Sequence, residues 1–232
     1  MDDLRIGGFT PLTTTDYPGH LAAVVFCQGC PWRCSYCQNP HLIPANEPTQ
    51  ISWQDIIEFM KKRNGLLDAV VFSGGEPTLQ GALETAIHEI HHLGFKVGLH
   101  TAGMYPERLA KILPLVDWVG MDIKAPFEQY EKITGVSNSG EKARISTKLL
   151  IKSGVAHEFR TTWHPQLLNE SDLLTLATEL VEMGATNFVL QEFRASGCAD
   201  QNLLETIISA AMKNLVIARI SPSFDQFFMR TA

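Results

Sequence analysis

Short apolar runs recur along the chain, each closed by glycine, proline or polar residues. They fall at Leu21–Phe26, Ala69–Phe72, Lys96–His100, Trp118–Asp122, Glu158–Thr162 and Asn187–Gln191, with a further candidate at Leu215–Ile220. Bounded runs of this kind predict buried strands. The stretches between them carry apolar residues at helical spacing. One spans Ser52–Arg63 and opens on a Ser52-x-x-Asp55 capping box; another, near Ala82–Leu93, stops at Gly94. Helices are also predicted over Pro106–Leu113, Lys142–Ser153, Ser171–Met183 and Leu203–Asn214. Strand and helix thus alternate six times through short connections. That rhythm predicts an α/β fold of parallel strands joined by right-handed crossovers, either a barrel or a doubly wound sheet. No Gly-x-Gly-x-x-Gly follows the first strand, so a dinucleotide-binding sheet lacks its main support.

The unusual residues gather where the strands end. Cys27–Cys37 follows the first strand, Ser73-Gly74-Gly75-Glu76-Pro77 the second, and His100-Thr101-Ala102-Gly103 closes the third. Asp122-Ile123-Lys124 ends the fourth, Arg160 lies on the fifth, and Gln191–Arg194 leaves the sixth. In a βα-barrel these ends share one face, where active sites are built.

Composition narrows the picture. A chain of 232 residues with 45% hydrophobic content can bury a sizeable core, and no linker, repeat or charge block divides it, so residues 1–232 are expected to form one domain. The net charge of -6 gives no basic field for nucleic acid or anionic lipid. Met1-Asp2-Asp3 is acidic where a secretory signal would be basic, and no apolar run approaches the roughly 18 residues of a membrane span. The expected setting is therefore cytoplasmic, where clustered cysteines are metal ligands or redox thiols more often than disulfides.

Four of the five cysteines lie in one run, Cys27, Cys30, Cys34 and Cys37. A four-thiolate zinc site is cramped, because only three residues separate Cys30 from Cys34. The ferredoxin order Cys-x2-Cys-x2-Cys-x3-Cys-Pro does not match. Cys27 continues the alternating face of Ala23 and Val25 and reads as a small buried strand residue. Without it, Cys30-x3-Cys34-x2-Cys37 offers three thiolates, and a 4Fe-4S cubane held by three thiolates keeps one iron open.

The Cys-x3-Cys-x2-Cys loop, followed by Ser73-Gly74-Gly75-Glu76-Pro77, resembles the radical S-adenosylmethionine (SAM) superfamily. Thr14-Thr15-Asp16-Tyr17-Pro18-Gly19, Val24-Val25-Phe26, Gln28-Gly29-Cys30 and Cys37-Gln38-Asn39-Pro40 resemble the activating proteins of anaerobic ribonucleoside-triphosphate reductase, a family close to pyruvate formate-lyase activating enzyme. Cys27 departs from that pattern, standing where a noncysteine such as Thr is expected. The resemblance implies a partial (β/α)6 TIM-type barrel holding one 4Fe-4S cluster on Cys30, Cys34 and Cys37. A one-electron donor such as flavodoxin or ferredoxin would reduce it, and SAM would be cleaved to a 5'-deoxyadenosyl radical that abstracts hydrogen from a glycine of a glycyl radical enzyme.

The same resemblance gives the Gly74–Gly75 turn and the region of Glu76 to the amino group of SAM, Tyr36 to its adenine, and Lys124 to its carboxylate or ribose. Gln38 flanks the last cysteine, and His100 stands where a polar ribose contact is expected. Asp122 lies two residues from Lys124 and so on the same side of the strand, where a mutual ion pair is the plainer reading. Arg160 is a weaker cofactor-binding candidate on the fifth strand. His88, His91 and His92 lie in or near a helix with no cysteine or acidic partner at ligand spacing and read as surface residues. Cys198, after Ser196-Gly197, reads equally as a free thiol or a pocket residue. Two other readings stand beside the activase: a radical SAM enzyme acting on a small molecule or RNA base, and a zinc-stabilised binding module.

Overall fold

The structure, a computed structural model, describes residues 4–48, 51–198, 200–203 and 208–231. Among these described residues eight strands form one sheet in sequence order. β1 (Ile6–Thr13) runs antiparallel to β2 (Ala22–Cys27). β3 (Ala69–Gly74), β4 (Lys96–Thr101), β5 (Trp118–Asp122), β6 (Ala156–Trp163), β7 (Asn187–Glu192) and β8 (Gln226–Arg230) follow, each parallel to its predecessor. The order starts at β1 and ends at β8, so the sheet is open, as in a partial barrel. The helices are α1 (Trp53–Lys61), α2 (Leu83–His92), α3 (Pro106–Ile112), α4 (Tyr130–Thr134), α5 (Ser139–Ser153), α6 (Glu170–Glu182) and α7 (Ala210–Ile220). Among the described residues, no helix is long and apolar enough to cross a membrane.

Local chemistry sets the helix starts. Ser52 and Asp55 close a reciprocal capping box on α1, and Asn169 and Asp172 close a second one on α6, which satisfies N–H groups that the first helical turn leaves without partners. β2 to β5 are almost wholly buried, as strands covered on both faces must be. Their two faces differ. Ala23, Val25 and Cys27 of β2 join the large core that includes Ile56, Met60, Ile87 and Ile90 of the helices. Ala22 and Val24 face the other way, into a small cluster with Ala69, Val71, Trp118 and Tyr17 of the β1–β2 connection. This second face is the lumen. Period-two alternation therefore sends Cys27 toward the helices and His100, Asp122 and Arg160 toward the lumen.

Several elements differ from expectation: the helix expected from Lys142 starts at Ser139, and the strands β1 and β8 were not expected. Leu215–Ile220, read as a strand, belongs to α7: the Ser209 hydroxyl caps the Met212 N–H, and Val216 and Ile220, four residues apart, are the buried positions. The helix expected over Leu203–Asn214 starts at Ala210, and residues 204–207 lie outside the described residues. β1 escaped prediction because Gly7, Gly8 and Pro11 read as strand breakers, whereas the pairing absorbs them in register shifts between Ile6 and Gly8 and between Thr10 and Thr13.

Candidate active site

The loop after β2 is pinned on both flanks. Gly29 N–H donates to Leu42 O at 2.7 Å and Cys30 N–H to Ile43 O at 3.0 Å; on the other side Arg33 N–H donates to Thr134 O at 2.9 Å and Ser35 N–H to Ile133 O at 3.1 Å. Thus fixed, Cys30, Cys34 and Cys37 line one cavity together with Trp32, Tyr36, Gln38 and Asn39. Cys27 is fully buried on the helix side and is not among the lining residues. All five cysteines are free thiols. Burial, with Glu76 next, pushes the Cys30 thiol up to about 12, and burial raises Cys34 against the pull of Lys124. Such thiols stay protonated until a strongly cationic ligand binds the sulfur and displaces the proton to solvent. Among the described residues no set of three or more Cys, His, Asp or Glu side chains closes around a single metal ion.

The turn after β3 is locked against this loop. Gly75 N–H donates to Cys27 O and Glu76 N–H to Gly29 O, each at 2.9 Å. Gly74 holds φ +110°, and a Cβ there would lie 2.5 Å from Cys27 N; at Gly75 a Cβ would lie 2.3 Å from Gly29 O. Backbone crowds both positions, so glycine is required for the cysteine loop to approach. Gly74 and Gly75 line the cavity. Glu76 does not: fully buried, its carboxylate accepts from Thr78 N–H (3.0 Å), Thr78 Oγ1 (2.6 Å), Thr101 Oγ1 (2.8 Å) and Ala102 N–H (3.0 Å). It ties the turn to the end of β4 and acts on the cavity through that brace.

The same cavity is lined by a compact charge network. Arg160 donates from Nε to Asp122 Oδ1 at 3.0 Å and from an η nitrogen to Gly120 O at 3.3 Å, while Lys124 Nζ meets Asp122 Oδ2 at 3.3 Å. The ion pair expected between Asp122 and Lys124 is present. Burial alone would raise the Asp122 carboxyl, but Arg160 and then Lys124 outweigh it and hold it at about 2. Burial disfavours charge on Lys124 too, yet Tyr36 and Asp122 keep its ammonium well above the usual range, and Nζ lies 5.5 Å from the Tyr36 ring centre. With two cations and one carboxylate, the network has an unspent positive charge facing the cavity.

A stability dependence follows. The folded Asp122 carboxyl titrates below its unfolded range, so its contribution to stability is complete above about pH 4 and is lost as pH falls. Denaturant unfolding should therefore separate wild type from Asp122→Asn above pH 4, with the gap shrinking as the pH approaches about 2.

The structure thus gathers Cys30, Cys34, Cys37, Tyr36, Gln38, Gly74, Gly75, His100, Asp122, Lys124 and Arg160 on one cavity. Gln38 also donates from Nε2 to Arg194 O at 2.6 Å, which ties the loop after β7 over the last cysteine. Glu192, in the strand-six exit read from sequence, instead pairs with Lys213 at 2.7 Å. Cys198, within that loop, is buried with its Sγ 4.0 Å from Ser35 O, and does not line the cavity. His88, His91 and His92 are exposed on α2. Trp32, Ser73, Thr101, Met104 and Thr162 line the cavity without having been assigned a role from sequence. Ser73 and Thr162 had a usable signal, each standing two residues from a lumen-facing position at a strand end.

Residues 24–190 match the family model described as the radical SAM superfamily. The chain belongs to the radical SAM superfamily. Members of this superfamily use a 4Fe-4S cluster and SAM, and this chain is an enzyme of that class. The donor set fits: three thiols on one loop serve a cubane in which each thiolate takes its own iron, and the two glycines leave a cradle that a Cβ would fill. A relative from Methanocaldococcus jannaschii, provisionally named a glycyl-radical enzyme activating enzyme, is 28% identical over 95% of this chain and 98% of its own length. A pyruvate formate-lyase-activating enzyme from Listeria monocytogenes is 32% identical over 58% of this chain and 59% of its own. In fold, QueE from Escherichia coli superposes with a TM-score of 0.59 over 99% of this chain and 95% of that one at 16% identity.

Proposed function

We propose that this radical SAM enzyme activates a glycyl radical enzyme. The observation that carries the reading is the near full-length likeness to the Methanocaldococcus protein of that name, joined to a cavity that presents three thiols beside a glycine cradle. Cys30, Cys34 and Cys37 would hold the 4Fe-4S cluster, and Cys27 would have no part in it. When bound and reduced, the cluster supplies the electron that splits SAM into methionine and the 5'-deoxyadenosyl radical that takes hydrogen from the partner's glycine.

The chain's own residues do the positioning. The carbonyls of the Gly74–Gly75 turn accept from the ammonium of SAM, and Glu76 keeps that turn in place. Lys124, with the surplus charge of its network, receives the carboxylate, and Tyr36 lies against the adenine. Asp122 and Arg160 hold Lys124 in register, and Gln38 fixes the loop after the last cysteine. Walls of buried side chains keep water and oxygen from the radical. Anaerobic ribonucleoside-triphosphate reductase is the proposed partner, on the strength of the Thr14–Gly19 and Cys37–Pro40 phrases, with a flavodoxin or ferredoxin as donor in the cytoplasm.

Electron paramagnetic resonance of the reduced protein mixed with SAM and that reductase tests the pairing. A glycyl doublet is expected. Its absence there, with a doublet on pyruvate formate-lyase, would transfer the assignment to the second partner. Absence with both, while SAM is still cleaved, would favour a small-molecule substrate. The zinc-module reading has little support, because Cys27 is fully buried and does not line the cavity that the other three thiols share.

A further inference from the structure

The Thr14–Gly19 connection lies outside the cysteine loop, yet it enters the lumen beneath it. Tyr17 is 5% exposed and stacks on Trp118 with ring centres 5.2 Å apart. It packs with Ala22, Val24, Ala69 and Val71, and its ring fills the space left by Gly98, where a Cβ would stand 3.2 Å from it. Seated this way, the turn presents the Asp16 carbonyl to His100 Nε2 at 2.8 Å, while His100 Nδ1 meets Ser73 Oγ at 3.2 Å. Both His100 and Ser73 line the cavity, and Ser73 directly precedes the Gly74–Gly75 turn.

A carbonyl can only accept, so Nε2 must carry the imidazole proton. Nδ1 is then bare and accepts from the Ser73 hydroxyl, whose lone pairs remain to accept from a ligand. We infer that Tyr17 is a positioning residue: its wedge sets the Asp16 carbonyl, which fixes His100 as the Nε2–H tautomer and turns Ser73 Oγ into an acceptor for an ammonium or hydroxyl group. With SAM as the ligand, which rests on the function proposed above, that donor is the methionine ammonium or a ribose hydroxyl. His100 stays neutral, since burial and then Arg160 lower it to about 3.

The tautomer is read directly. In the cluster-loaded protein with isotopically labelled histidine, long-range proton–nitrogen correlation should give His100 the neutral Nε2–H pattern, assigned by its disappearance in His100→Asn. Tyr17→Ala should blur that pattern into a mixture and weaken SAM binding about ten-fold, the loss of roughly one hydrogen bond, with iron content unchanged. Tyr17→Phe keeps the ring and should preserve both. An Nδ1–H pattern in the wild-type protein overturns the inference, as does a Tyr17→Ala protein with the wild-type pattern and SAM affinity. Because the tautomer is read without SAM, an Nδ1–H pattern in a protein that cleaves SAM defeats this inference alone. An Nε2–H pattern in a protein that does not cleave SAM supports it and defeats the functional proposal.

Discussion

Cys34→Ala is expected to lose the iron–sulfur cluster and, with it, all detectable cleavage of SAM. Cys34 sits in the middle of the pinned loop, with Cys37 N–H donating to its carbonyl at 3.0 Å, and its side chain lines the cavity between Cys30 and Cys37. Removing one of three thiolates leaves two, too few to hold a cubane against exchange with solvent. The fold should survive. Cys34 is only partly buried, and the loop's anchors to Leu42, Ile43, Ile133 and Thr134 are all backbone hydrogen bonds that the substitution leaves in place. The expected signature is a soluble protein of wild-type circular dichroism, without the cluster's visible absorbance and without 5'-deoxyadenosine as product.

Gly75→Ala is expected to be strongly destabilising and to weaken SAM binding. Its Cβ would lie 2.3 Å from Gly29 O, 2.7 Å from Gly29 C and 3.1 Å from Leu42 O, all backbone atoms with no rotamer to yield. Relief requires moving the cysteine loop, at the expense of the Glu76 N–H to Gly29 O hydrogen bond. Overpacking together with one or two lost hydrogen bonds amounts to about 2–4 kcal/mol. Denaturant unfolding should show that loss, and SAM binding should fall with it. Gly81→Ala is the control: nothing lies within 4 Å of a Cβ there, and stability should hold or rise slightly. Equal behaviour of the two variants would mean that the turn does not brace the cysteine loop.

Much of this arrangement was legible from local pattern. Short apolar runs located β2 to β7, because buried parallel strands have to be apolar on both faces. The Cys-x3-Cys-x2-Cys and Gly-Gly-Glu-Pro phrases stood at successive strand ends, and parallel topology alone brings such ends together. Period two also separated Cys27 from the other cysteines. Contacts between distant residues were not legible. The Arg160–Asp122 pair joins positions on neighbouring strands whose adjacency only the sheet order supplies. Glu76 sits in a recognised phrase, but its direction depends on Thr78, Thr101 and Ala102, so sequence placed it at the ligand while the fold uses it as a brace. The lumen role of Tyr17 was hidden for a further reason. β1 is glycine-rich and irregular, and the connection that follows it carries no periodicity to read.

The claim on which the rest depends is that three thiolates, not four, hold the cluster and leave room for SAM. Iron and sulfide assays on anaerobically reconstituted Cys27→Ala test it most directly. Cys27 is buried with Ala23 and Val25 on the helix side of β2, so the variant should keep about four irons and four sulfides per chain and cleave SAM as the wild type does. Loss of iron in a folded Cys27→Ala protein, or stoichiometric zinc in place of iron in the wild type, would contradict the account.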